Sequence, residues 1–213
     1  MNLEKYINQI EQLKPMATGF KYNTKVLQKL SGEHKLFISD FEDKYVSRAD
    51  VIKAFEDYYS GNGNYMRAFL LTMIWGFADT GYGTHRTNMY VTNLESNKLI
   101  KDAIDAVKNK NLKSAFNNLM KIKGLGVSYS TKILHFATKA SGDKEYALIY
   151  DIRVASALVQ LTTPSHIFEI VNVYPSPKFD NYQKYNQLIH RLAHQYNLEP
   201  DAIEVFLFEQ KFS

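Results

Sequence analysis

Two short stretches of the 213-residue sequence combine residue types that could act on a polyanion. The first is 122–130, Ile-Lys-Gly-Leu-Gly-Val-Ser-Tyr-Ser, in which Gly124 and Gly126 flank Leu125. Glycine tolerates positive φ and has no Cβ, so the chain can turn sharply there and bring its N–H groups close to another surface. A helix is predicted to start directly after Gly126, and the unpaired N–H groups at a helix N-terminus bind anions such as phosphate.

The second stretch is 150–154, Tyr-Asp-Ile-Arg-Val, which places a carboxylate at the start of a predicted helix. A carboxylate in a dry cleft opposes a developing positive charge far better than water does. It can also orient and deprotonate an attacking water molecule. The alternative interpretation is that Asp151 only caps its helix, and both roles can coexist at a helix start.

The elements around the glycines are predicted to hold the turn rigid. Apolar residues at helical spacing precede it, and a second stripe of Tyr129, Ile133 and Phe136 follows it, so two short helices can pack on each other. Between Ala106 and Ala140 there are seven lysines and no acidic residue. A one-sign cluster beside an amide-lined turn favours a DNA or RNA backbone as the partner.

The remaining pattern predicts a chain of helices. Amphipathic or apolar spacing indicates helices over 2–15, 22–30, 65–77 and 94–108, a helix capped by Ser47, and two more at the C-terminus. Residues 37–39 are predicted to be extended, and 79–88 to form a polar, glycine-rich loop.

Composition excludes several classes of protein. A hydrophobic content of 45% argues against disorder, and no apolar run is long enough to span a bilayer. The absence of cysteine excludes disulfides, thiolate zinc sites and thiolate-bound iron–sulfur clusters. His85 has no neighbouring histidine at metal-ligand spacing, so no metal and no cofactor is expected. The first residues lack a signal-peptide pattern, which predicts a cytoplasmic protein.

Taken together, the hairpin and the later aspartate resemble the helix-hairpin-helix DNA glycosylase superfamily, and most closely its 8-oxoguanine glycosylase branch. The family pattern is apolar-Pro-Gly-apolar-Gly, followed about twenty residues later by apolar-Asp-x-His/Arg-apolar, which 150–154 fits. The resemblance implies an all-α, two-lobed fold with an interlobe cleft, formed by residues 1–213 as one unit. It places the helix-hairpin-helix at about 112–138 and the catalytic segment at 146–162.

The resemblance also implies roles for individual residues. Asp151 is the expected catalytic residue, because breaking an N-glycosidic bond leaves positive charge on the deoxyribose. The expected contacts to the DNA backbone are Lys123, Gly124, Leu125, Gly126, Ser128 and Lys132. The expected base pocket or wedge, required because such enzymes extrude the nucleotide, draws on Trp75, Phe77, Tyr82, His85, Arg86 and Tyr150. The alternative for Trp75 and Phe77 is that they pack in the core.

Ser128 departs from the pattern of the relatives with lyase activity, which carry a Schiff-base lysine at this place. Without an amine nucleophile, we expect a monofunctional glycosylase that uses water and leaves an abasic site. Lys132, one helical turn further on, could substitute, but the alternative is a solvated or phosphate-facing lysine.

The sequence therefore predicts a monomeric enzyme acting on double-stranded DNA that contains a modified base. Oxidised guanine, alkylated purines and the glucosylated hydroxymethylcytosine of phage DNA all stay open as substrates, in repair or in antiviral defence. Two other classes also stay open, namely a non-catalytic helix-hairpin-helix DNA-binding module and a helical protein–protein scaffold.

Overall fold

The computed structural model describes residues 3–22, 30–77, 81–162 and 173–212. Across these ranges helices dominate, which confirms the all-α fold class. The α-helices are α1 (Ile7–Glu11), α2 (Arg48–Tyr59), α3 (Tyr65–Phe77), α4 (Gly81–Thr92), α5 (Leu94–Lys108), α6 (Leu112–Met120), α7 (Gly126–Ala140), α8 (Ile152–Gln160), α9 (Phe179–Tyr196) and α10 (Pro200–Glu209). Short 3-10 helices span Glu4–Tyr6, Pro15–Ala17 and Gly32–Phe41, and two strands, β1 (Gly19–Lys21) and β2 (Tyr45–Ser47), pair antiparallel. None of the helices in the described ranges has the length and apolar character that a bilayer crossing requires.

The chain divides into two compact units. The hairpin unit is Met16–Ala147 and contains the two-glycine turn. The aspartate unit combines the N-terminal segment Met1–Pro15 with Leu148–Ser213 and contains Asp151. The turn that is predicted to bind the DNA backbone and the aspartate that is predicted to be catalytic thus belong to different units. The cleft between the units stays a prediction.

In the hairpin unit, a local cap sets the start of α2. The hydroxyl of Ser47 accepts a hydrogen bond from the N–H of Asp50 (3.2 Å), and the Asp50 carboxylate accepts one from the N–H of Ser47 (2.8 Å). This reciprocal arrangement satisfies two backbone donors, and a cap of this kind stabilises a helix by about 1 kcal/mol. The predicted N-cap is confirmed.

Helix α3 lies at the centre of the same unit. Every residue from Ala68 to Ile74 is buried, so the helix is enclosed on most sides, as its apolar sequence predicted. It packs against α2, α4 and α7. The side chain of Thr72, the one polar member of the run, donates to the carbonyl of Ala68 (2.9 Å). The buried hydroxyl is therefore paired and does not destabilise the fold.

Two local predictions in this unit are wrong. Residues 37–39 belong to the 3-10 helix Gly32–Phe41 and are not extended. The predicted loop over 79–88 is helical from Gly81 onward, as the first part of α4. The predicted helix over 22–30 lies almost wholly outside the described residues.

Packing explains why the glycine-rich segment is helical. Thr84, Thr87 and Val91 are buried at helical spacing. Helix α4 therefore has a buried face, which its polar composition did not indicate. A Cβ on Gly83 would lie 2.1 Å from a ring carbon of Phe77. The glycine therefore serves close contact between α3 and α4 and does not interrupt the helix.

In the aspartate unit, α8, α9 and α10 pack together, and α1 packs on α10. The N-terminal segment is joined to the C-terminal one by apolar contact, because the Tyr6 ring lies 4.9 Å from that of Phe206. The predicted helix over 2–15 is shorter than expected: a 3-10 turn leads into α1, which ends at Glu11. The two predicted C-terminal helices are present as α9 and α10.

Candidate active site

The turn between α6 and α7 is made by two glycines in the left-handed region. Gly124 has φ +86° and Gly126 φ +67°, a conformation that strains any other residue. Leu125 between them is 1% exposed and anchors the turn in the core. A Cβ on Gly124 would lie 3.5 Å from the hydroxyl oxygen of Tyr90, so α4 supports the turn from beneath. Gly124 and Gly126 themselves stay exposed.

The start of α7 is arranged as an anion site. No side-chain hydrogen bond caps this helix at Leu125, whereas Asn side chains cap α5 and α6. Its first-turn N–H groups therefore lie at an exposed, positively polarised helix end. Lys121 and Lys123 are exposed on the turn that precedes it. This combination of amides and lysines suits a phosphate of a nucleic-acid backbone.

Five of the seven lysines in the acid-free segment are exposed; they are Lys108, Lys110, Lys113, Lys121 and Lys123. The other two are engaged inside the unit. Lys139 is half-buried with its ammonium 4.3 Å from the centre of the Tyr146 ring.

Lys132 is buried, so the expectation of a solvated lysine at this position is wrong, and its contact with the DNA backbone stays a prediction. It is 7% exposed, and its Nζ donates to the hydroxyl of Ser128 (2.7 Å), one turn earlier on α7. The ammonium also lies 5.1 Å from the centre of the Tyr129 ring. Its stem runs past the end of α3, where a Cβ on Gly76 would lie 3.1 Å from its Cδ. The side chain is thus held between two helices.

Phe77 joins the same cluster. Its ring centre lies 4.4 Å from that of Tyr129, so Phe77, Tyr129, Ser128 and Lys132 form one group of contacts. The sequence had assigned Tyr129 only to the apolar stripe of α7. Its position directly after Ser128 was the signal that could have marked it as a site residue.

Trp75 is held by packing within the hairpin unit. Its indole N–H donates to the carbonyl of Thr18 (3.1 Å), its ring meets Phe136 edge-on at 5.2 Å, and the Arg48 guanidinium lies 5.0 Å from its ring centre. These contacts match the core alternative for Trp75.

The wedge candidates beyond α3 are carried by α4. His85 is exposed and Arg86 is half-buried on this helix. The side chain of Tyr82 lies outside the described residues. His85 and Arg86 therefore lie on a helix, and not on the polar, glycine-rich loop that the sequence predicted.

In the aspartate unit, Asp151 caps α8. It is 7% exposed, and its Oδ1 accepts hydrogen bonds from the N–H groups of Arg153 (2.9 Å) and Val154 (3.2 Å). Two fixed donors and the positive helix end both favour a charged, oriented carboxylate. The guanidinium of the exposed Arg153 lies 4.9 Å from the centre of the Phe208 ring. The predicted cap is present, and a catalytic role is compatible with it.

The segment before Asp151 lies outside the helices and strands and is held by one face of α9. Asn186 accepts a hydrogen bond from the N–H of Leu148 (2.8 Å), and the hydroxyl of Tyr182 donates to the Leu148 carbonyl (3.0 Å). The hydroxyl of Tyr185 donates to the carbonyl of Ile149 (2.7 Å). From the sequence, Tyr185 was interpreted only as part of an apolar stripe along its helix. The polar ends of side chains spaced at i, i+3 and i+4 were the signal that it missed.

Tyr150 stacks on this face. Its ring lies parallel to that of Tyr185, with centres 4.2 Å apart. Burial raises the pKa of Tyr150 and raises that of Tyr185 well above its usual value; the carboxylates of Glu204 and Asp151 raise the Tyr185 pKa further.

Among the described residues no group of three or more His, Cys, Asp and Glu side chains is placed to bind a metal.

A family model described as "Putative 8-oxoguanine DNA glycosylase OGG-like protein" matches residues 14–208. The match spans both units and includes every residue discussed above as part of the site. No curated protein and no solved structure was found to match the chain.

Proposed function

The chain belongs to this 8-oxoguanine DNA glycosylase-like family, and on that premise we propose that it is a monofunctional DNA glycosylase. It binds double-stranded DNA, extrudes a modified nucleotide and hydrolyses its N-glycosidic bond. Cytoplasmic location and action as a monomer are part of the proposal; size-exclusion chromatography with light scattering tests the second.

The reaction follows from one carboxylate and one water molecule. As the bond between the base nitrogen and C1′ breaks, positive charge develops on the deoxyribose, and the Asp151 carboxylate stabilises it. Asp151 then takes a proton from the water that bonds to C1′. The proton passes to the departing base, so the products are a free base and an abasic site that keeps both phosphodiester bonds.

The observation that carries the proposal is the setting of Asp151. The carboxylate is 7% exposed and is fixed by two backbone donors at the first turn of α8. Poor access to water strengthens its interaction with a nearby positive charge, and a fixed orientation avoids reorganisation during the reaction.

The hairpin unit supports the proposal with a place for the DNA backbone. The exposed amides at the start of α7 and the exposed Lys123 would hold phosphates near the lesion. In relatives this turn is expected to grip the strand that carries the extruded nucleotide. Phe77 and Tyr129 offer aromatic faces in the same unit, which suits stacking of a flipped base.

The substrate is tested with a panel of duplexes that carry 8-oxoguanine, an alkylated purine or glucosylated hydroxymethylcytosine. The first follows the description of the family, and the last would make the enzyme a defence factor against phage DNA. Purified protein is incubated with each duplex, and released bases are identified by mass spectrometry. We expect base release from at least one duplex and from no unmodified DNA.

Asp151→Asn tests the mechanism on the duplex that responds. Asparagine also caps helices well, so the variant should fold normally while losing the negative charge. We expect base release to fall by at least about 1,000-fold, which corresponds to about 4 kcal/mol of lost transition-state stabilisation, with the affinity for DNA retained.

Asp180→Asn is the matched control, because Asp180 is an exposed acid at the start of α9 in the same unit. It should behave as wild type. The second candidate function, a non-catalytic DNA-binding module, has one observation in its favour, namely that the hydrogen bonds from Arg153 and Val154 to Asp151 are those of a helix cap. No base release from any duplex, together with salt-dependent DNA binding, would establish that alternative.

A further inference from the structure

The backbone just before Asp151 is fixed by side chains that the reaction itself does not need. Tyr185 is buried on α9, and it contacts two consecutive residues of the segment before Asp151. Its hydroxyl donates to the carbonyl of Ile149 (2.7 Å), and its ring stacks on that of Tyr150 at 4.2 Å. Ile149 and Tyr150 are the two residues that lead into the carboxylate.

The C-terminal side of Asp151 is fixed as well. Gln210, directly after α10, donates through Nε2 to the carbonyl of Arg153 (2.8 Å). The N–H of Arg153 is itself one of the two donors to the Asp151 carboxylate. Asp151 thus sits between two anchored pieces of backbone, both held by helices of its own unit.

Tyr182 provides an internal comparison, because it makes the same type of bond one turn earlier. Its hydroxyl donates to the carbonyl of Leu148 (3.0 Å), three residues before Asp151, and its side chain is fully buried. Burial raises the pKa of both tyrosines, and the charges of Glu204 and Asp151 raise the pKa of Tyr185 further. The hydrogen bond of Tyr185 lies one residue closer to Asp151 in the chain than that of Tyr182, and the Tyr185 ring also stacks on Tyr150.

We propose that Tyr185 is a positioning residue for the glycosylase reaction, which fixes the Asp151 carboxylate by holding Ile149 and Tyr150. This inference rests on the proposed function. Holding a reacting group in place removes the need to order it during the reaction, and a displacement of about 1 Å can lower a rate about 100-fold. The expected effect of loosening Tyr185 is therefore on the rate of base release and not on DNA binding.

The test compares Tyr185→Phe with Tyr182→Phe. Each removes one buried hydroxyl that donates to a backbone carbonyl, and each keeps the ring, so the two should lower the melting temperature by similar amounts. Single-turnover base release is measured with enzyme in excess on the three modified duplexes of the panel. We expect Tyr185→Phe to lower the rate at least tenfold and Tyr182→Phe to lower it less than threefold.

Two further measurements separate positioning from general damage. Affinity for a duplex that contains a tetrahydrofuran abasic-site analogue should change less than threefold in both variants. Hydrogen exchange at the N–H groups of Arg153 and Val154, which bond to Asp151, should be faster in Tyr185→Phe than in Tyr182→Phe. Exchange needs no substrate, so it reports on the positioning even if no duplex is cleaved.

The outcomes distinguish this inference from the proposed function. The positioning role of Tyr185 would be overturned if Tyr185→Phe and Tyr182→Phe released the base at equal rates. It would also be overturned if the N–H groups of Arg153 and Val154 exchanged equally fast in the two variants. If Asp151→Asn keeps full activity, the proposed function fails whatever the tyrosine variants do. Loss of activity in Asp151→Asn with wild-type rates in Tyr185→Phe would leave the glycosylase proposal standing and refute the positioning role.

Discussion

At the scale of single residues, the pair of Ser128 and Lys132 bears on how the reaction ends. Relatives with lyase activity are expected to hold an amine where this chain has Ser128, yet the ammonium of Lys132 reaches that hydroxyl at 2.7 Å. It donates a hydrogen bond there and lies over the Tyr129 ring, and these contacts hold the buried side chain inside the hairpin unit. An amine held in this way is kept from attacking a sugar carbon.

We therefore expect no Schiff base between this protein and an abasic site. Wild-type protein is mixed with a duplex that contains an abasic site and is treated with borohydride, and covalent adducts are separated by denaturing electrophoresis. No adduct should form.

The matched variant is Ser128→Lys, which restores an amine at the position used by relatives and should form an adduct. An adduct with the wild type that disappears in Lys132→Met would show that Lys132 is a nucleophile, and the monofunctional assignment would then be wrong.

At the scale of elements, two glycines allow the conformational cost of substituting a turn residue to be distinguished from the role of the turn in DNA binding. Gly126 starts α7 with φ +67°, and Gly142 follows the end of α7 with φ +70°. A Cβ added at either glycine would have no atom within 4 Å, apart from atoms of its neighbours in the chain. The conformational cost of a side chain should therefore be alike at both, about 1–2 kcal/mol.

Gly126→Ala and Gly142→Ala should lower the free energy of unfolding by similar amounts. Only Gly126→Ala should weaken DNA binding, by about tenfold, because a Cβ at this exposed position would keep a phosphate from approaching the backbone amides of the turn. Denaturant titration and fluorescence anisotropy with duplex DNA measure the two effects. An equal loss of affinity in both variants would mean that the turn does not contact DNA.

The same elements show which features a sequence reveals. The caps at Ser47 and Asp151 and the turn at Gly124 were predictable, because the residues that determine them lie within a few positions in the chain. Helix α4 and the buried Lys132 were not, because both depend on close contacts between different helices: Gly83 admits the ring of Phe77, and Gly76 admits the stem of Lys132. A glycine that serves packing and one that serves a turn look alike in the sequence.

At the scale of the whole molecule, buried phenols couple folding to alkaline pH. Burial raises the pKa of Tyr59, Tyr182 and Tyr185 above the usual value, and such tyrosines lie in both units. Their folded pKa exceeds the unfolded value of about 10. The stability that depends on their neutral form is therefore complete below pH 10 and is lost as the pH rises above it.

We expect the free energy of unfolding to fall above pH 10 by about 1.4 kcal/mol per pH unit for each such tyrosine. Tyrosinate absorbance and circular dichroism are followed together as the pH is raised. The buried tyrosines should ionise only as the helical signal is lost. Tyr182→Phe should reduce the slope, and complete ionisation of the folded wild type would contradict the expectation.

The aspartate unit is discontinuous in the chain, because Met1–Pro15 folds with Leu148–Ser213. On the ribosome, every residue of the hairpin unit emerges before the unit that carries Asp151 has its second half. Synthesis that stops near residue 147 would yield a polypeptide with the two-glycine turn and its lysines but without the acid. If the turn binds DNA as we propose, such an incomplete chain would compete with the intact protein for DNA without supplying the acid.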